Sequence, residues 1–101
     1  MAVDLTSRTK AVIAHLFKPD TAPLIEQLLA DECGSNLPLY KPSTSEGWER
    51  IQIAALKISN GDQNKLLEAV VLAKQDWRDV LLWAGFANDL EAHHKWAKDL
   101  K

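Results

Sequence analysis

The stretch Ile53–Lys74, IAALKISNGDQNKLLEAVVLAK, decides the fold. Its apolar residues recur at helical spacing on both sides of the centre, and none alternate with polar ones as a strand would require. The SNGD at its middle reads as a tight turn, with Asp62 placed to cap the helix that follows. Two helices joined so briefly must pack against each other, so the rest of the chain is read outward from a helical hairpin.

Upstream, Ser43 and Glu46 have the spacing of a capping box. The helix they open runs to about Ser59 and turns Trp48, Ile51, Ala54, Ala55 and Ile58 inward. Ile53 and Leu56 widen that stripe, so this helix is expected to be the central, most buried one. Downstream, Leu66, Leu67, Val70, Val71 and Ala73 form the expected inner face. Asp76 and Asp79 can restart a fifth helix, broken from the fourth or continuous with it. Gly85 ends that segment, and Asn88 with Glu91 repeat the capping-box spacing before a last helix. Toward the N-terminus, one helix is expected from about Asp4 to Phe17, stopped by Pro19. A second begins at Asp20 or Thr21 with Pro23 in its first turn and ends at Gly34. Between Gly34 and Ser43, Pro38 and Pro42 forbid helix, and Leu37, Leu39 and Tyr40 are expected to lie across the bundle as a lid. The expectation is an all-α protein, a compact single-domain bundle over residues 1–101. It has five to six short helices and is not a coiled coil.

Composition narrows the function classes. With 47% hydrophobic and 26% charged residues, the chain belongs with ordinary folded proteins rather than disordered ones. No apolar run approaches the roughly 20 residues of a membrane span, and MAVDLTSRTK has no signal-like apolar region, so no membrane association is expected. The net charge of −2 and the dispersed cations make nucleic acid an unlikely partner, because phosphate binding needs a basic face. A single cysteine, Cys33, excludes an internal disulfide and suits a reducing cytoplasm. Asp31 and Glu32 beside it would raise its pKa and argue against a nucleophile.

Two features stand out in WRDVLLWAGFANDLEAHHKW, Trp77–Trp96. The first is the histidine pair. Leu90, His93, Ala97 and Leu100 share one face of the last helix, so His93 reads as a half-buried core histidine and a pH-sensitive element. His94 points to the side. Adjacent helical residues do not face each other, so His93 and His94 are not expected to hold one ion together. Glu91 and His94 have the Glu-x-x-His spacing of di-iron bundles, but no second copy exists, so they are weak metal candidates and no metal or other cofactor is expected. His15 lies at the margin of the first helix's apolar stripe. No nucleophile motif or phosphate loop occurs, and no catalytic residue is assigned.

The second feature is aromatic. Trp77, Val80, Leu81 and Ala84 form an inward face, which leaves Leu82 and Trp83 on the other sides. Either Trp83 packs under a neighbouring segment, or Leu82, Trp83 and Phe86 form an interface to another protein or to a second copy.

The segments NLPLY, ALKISNGD, AVVLAKQDWRDVLLWAGF and AHHKW resemble a group of small, uncharacterised bacterial proteins of about this length, over roughly Asp31 to Trp96. The resemblance implies a bacterial, cytoplasmic, all-helical protein and brings no activity, cofactor or site residue. The leading functional expectation is therefore a small interaction module or self-associating protein without catalysis of its own. The alternatives are a nucleic-acid-binding regulator built on the Ile53–Lys74 pair, and a metal- or ligand-binding enzyme at Glu91, His93 and His94.

Overall fold

In a computed structural model, described over residues 5–33, 45–89 and 91–100 with side chains of the third helix from residue 47, the hairpin is the centre of the molecule. Five helices follow one another: α1 (Ser7–Leu16), α2 (Ala22–Glu32), α3 (Ser45–Ser59), α4 (Gln63–Ala84) and α5 (Ala92–Asp99). No strand occurs among the described residues, and no helix there is long and apolar enough to cross a membrane. The Gly34 helix end, the Leu37–Tyr40 lid, the Ser43–Glu46 capping box and the place of Leu90 lie outside the described residues.

α3 is the hub. Ile51, Ile53, Ala54, Ala55 and Leu56 are all fully buried. Successive helical residues turn by about 100°, so this run is enclosed on every side. α3 packs along α4 and also meets α1 and α5, while α2 covers α1 and α4. The turn between α3 and α4 is set by Asn60 and Gly61, both at positive φ (48° and 86°). Asp62 Oδ1 then accepts from the backbone N–H of Asn64 and Lys65 (2.9 and 3.3 Å), the cap expected from the sequence.

α4 corrects one expectation and bears out another. Its inner face is the narrower stripe Leu66, Ala69, Val70 and Ala73, all buried, at i, i+3, i+4 and i+7. Leu67 and Val71 lie 100° further round and are exposed. The expected restart at Asp76 is a break of one residue (φ −156°, ψ 102°) inside an element that otherwise continues. Asp76 Oδ1 accepts from the Arg78 N–H at 3.0 Å, so this aspartate caps the second half. Gly85, at φ 82°, ends the helix. Its N–H reaches Leu82 O (3.1 Å) and the Phe86 N–H reaches Leu81 O (2.9 Å), a Schellman closure that drives Phe86 into the core.

α1 begins one turn later than expected, with Thr6 Oγ1 accepting from the Thr9 N–H at 3.2 Å. α2 opens at Thr21 without a side-chain cap bond, relying on the proline in its first turn. The Asn88–Glu91 capping box does not form. Asp89 accepts from the Glu91 N–H at 2.8 Å, and the Glu91 carboxylate is turned instead toward His94.

Candidate functional site

Five polar or charged residues are buried among the described ones: Thr9, Glu49, Gln52, Ser59 and His93. Four belong to, or adjoin, one cluster where α1, α3 and α5 meet. Glu49, in the first half of α3, is 1% exposed. Its Oε1 accepts from the Thr6 hydroxyl at 2.7 Å, and Arg8 Nη1 lies 3.1 Å from each carboxylate oxygen. Its Oε2 faces two imidazoles, with His93 Nε2 and His94 Nε2 each 3.4 Å away. One turn along α3, Gln52 accepts from the Thr9 hydroxyl (3.3 Å) and donates to Cys33 O (2.9 Å), tying α1 and the end of α2 to the hub.

The two histidines differ. His93 is 4% exposed, its ring tilted against Phe86 and against His94. Neither of its ring nitrogens has a partner in hydrogen-bond geometry among the described residues. Burial, with the neighbouring His94 charge, pushes its pKa down, against the pull of Glu49. His94 is half-buried, and its Nδ1 is 2.5 Å from Glu91 Oε2. Burial pushes the Glu49 carboxyl up, but the Thr6 hydrogen bond, Arg8 and His93 outweigh it and hold the group below the usual carboxylate range.

A cleft of about 560 Å³ runs between α1 and α5 and reaches this cluster, since Arg8 and His94 belong to both. Val12 and Leu100 contribute apolar surface, and His15 and Lys98 stand along the rim. Among the described residues, no carboxylate lines it.

The sequence placed His93 in the core, and that is where it lies. His93 and His94 leave the helix about 100° apart, as the sequence implies, yet both Nε2 atoms lie 3.4 Å from one oxygen of Glu49, which comes from a different helix and sits between them. Glu49, Thr6 and Arg8 were missed altogether. One signal was available: Glu49 and Gln52 extend the Ile53–Leu56 stripe by the i, i+3, i+4, i+7 rule, so two polar groups were bound for the interior and needed partners.

On α4, Leu82 and Trp83 are 64% and 58% exposed. Phe86, grouped with them from the sequence, is 2% exposed and cannot meet a partner. Its ring lies under α5 against His93 and Trp96 (6.4 Å each), with Lys57 Nζ 5.0 Å from its centroid. Cys33 is enclosed, its thiol pushed up to about 12 by burial first and Glu32 second, and it is no nucleophile.

Fold and cluster together define an all-helical protein with a buried carboxylate–imidazole centre beside the α1–α5 cleft. No family model matches the chain, and neither a curated protein nor a solved structure matches it.

Proposed function

We propose that this chain is a small helical interaction module that binds another protein, or a second copy of itself, through the outer face of α4, without catalysis of its own. The observation that carries this is where exposed apolar surface falls. Of the five large apolar side chains exposed among the described residues, four (Leu67, Val71, Leu82 and Trp83) lie on α4, and only Leu24 lies elsewhere. Adjacent Leu82 and Trp83 supply the kind of anchor that dominates binding energy at protein interfaces. A bacterial cytoplasmic setting is part of the same reading, supported by the four resembling segments and the enclosed lone cysteine. The nucleic-acid alternative has little support: on α4, Lys74 is paired with Glu32 and Arg78 with Asp76, which leaves Lys65 as that helix's one cation outside an ion pair among the described residues, too few for a phosphate-binding face.

Sedimentation velocity over a wide concentration range, with cross-linking in source-cell extract, tests the reading. Trp83→Ser should weaken the dimer or the cross-linked complex by about 2 kcal/mol, roughly thirtyfold in Kd. If wild type and Trp83→Ser sediment alike as monomers and cross-link to the same partners equally, the outer face of α4 is not an interface.

A further inference from the structure

The cluster at Glu49 leaves a buried imidazole, that of His93, without a hydrogen-bond partner among the described residues. Glu91 Oε2 stands against His94 Nδ1, which turns His94 Nε2 toward Glu49. His94 Nε2 lies 3.4 Å from Glu49 Oε2. His93 Nε2 approaches the same oxygen at the same distance without hydrogen-bond geometry. Both carboxylate oxygens already have donors: Oε1 has Thr6 and Arg8, and Oε2 has Arg8. The imidazole of His93 is what remains without a partner among the described residues, in a place where an unpartnered polar group costs about 1–3 kcal/mol.

We propose that Glu49, His93 and His94 are the three protein ligands of a divalent transition-metal site, best matched to Zn2+, whose fourth position opens into the α1–α5 cleft. Two of the three spacings fit. Nitrogen and oxygen ligands at about 2.0–2.1 Å around a tetrahedral zinc stand about 3.3–3.4 Å from one another. Glu49 Oε2 is 3.4 Å from each imidazole nitrogen, and the three ligand atoms lie within 4.8 Å of one another, so the two imidazoles have to draw together around the ion. The surrounding bonds are those a metal site needs. Glu91 against Nδ1 turns His94 Nε2 inward, while Thr6 orients the carboxylate through Oε1 and Arg8 through both oxygens. Arg8 and, near His93, Arg50 are unfavourable charges. The Arg8 side chain is 44% exposed, so water screens it and it has room to swing off Oε2 into the cleft.

The open position follows from the burial. Glu49 and His93 are enclosed, whereas His94 is half-exposed and lines the cleft. A water or an anionic group entering there would meet the metal, flanked by Arg8 and Lys98 with no carboxylate among the described lining residues. Three protein ligands with one open position is the arrangement of zinc sites that bind or activate a ligand rather than ones that only brace a fold. This inference stands independently of partner binding by α4.

The full chain without a histidine tag, stripped with a chelator, would be titrated with Zn2+ by calorimetry and with Co2+ by visible absorption. The expected result is one ion per chain, with the intense d–d bands of a four-coordinate cobalt site. His94→Asn should weaken binding at least about tenfold, and Glu91→Gln, which only orients His94, by about tenfold. His15→Asn, in the same cleft but away from the ligands, should leave it unchanged. Circular dichroism of each variant separates loss of a ligand from loss of fold. The proposal is overturned if the wild type takes up neither ion, or if His94→Asn binds as tightly as the wild type. The cluster would then be an ion-pair network alone, with His94 seated between Glu91 and Glu49.

Discussion

His93 shows how a single residue can be legible in kind and opaque in consequence. Its place on the apolar stripe of α5 was readable from spacing, but what it faces was not, because Glu49 lies 44 positions away in sequence. Burial holds the imidazole below its usual 6.5, so at neutral pH it is neutral in the fold and protonation favours the unfolded chain. The stability this represents is present above about pH 6.5 and is lost as pH falls through that value toward the folded pKa. Glu49 is held below its usual 4.5, so its contribution is present above that value and is lost on further acidification. Both groups act in the same direction. The urea midpoint of chelator-treated protein should therefore drop between about pH 7 and about pH 5, and more steeply below. His93→Gln should flatten the upper part of that profile. An equally steep fall in the variant would show that another group is responsible.

At the scale of elements, much was legible. Asp62 as a cap, Gly85 as a stop, and α3 as the central helix all follow from local chemistry or periodicity, and each is observed. Faces were harder. Leu67 and Val71 have the same residue chemistry as Leu66 and Val70, and only the close approach of α3 over Ala69 and Ala73 decides which pair is buried. The hairpin turn offers a sharp test of such close approach. A Cβ on Gly61 would come 3.0 Å from the carbonyl oxygen of Leu16 at the end of α1, at a φ of +86° that side chains disfavour. Gly61→Ala should therefore cost about 1–3 kcal/mol in chemical denaturation. A loss below about 0.5 kcal/mol would mean that the turn shifts away from α1 at little cost.

For the whole molecule, the all-α fold was readable because each helix carries its own signals, whereas the cluster needs three helices at once and its one local trace is the pair of polar residues, Glu49 and Gln52, on the buried stripe of α3. The same distinction separates two aromatics three positions apart. Phe86 is enclosed beneath α5 and Trp83 stands on the outer face of α4. Phe86→Ala should destabilise the fold by about 3–5 kcal/mol, and Trp83→Ser by no more than about 0.5 kcal/mol. Thermal melts of the two variants side by side check the assignment, and equal losses would place Trp83 in the core.

α5 has only eight residues, fewer than the roughly 12–15 that hold an isolated helix together in water. It is kept in place by His93, by Trp96 against Phe86, and by its ties to Glu49. A helix held this way opens as a unit well before the rest of the molecule unfolds. Each opening carries both imidazoles away from Glu49 together. The backbone amides from Ala92 to Asp99 are therefore a clock: the rate at which they trade hydrogen for deuterium records how long the Glu49 centre stays closed, and whatever binds there slows it.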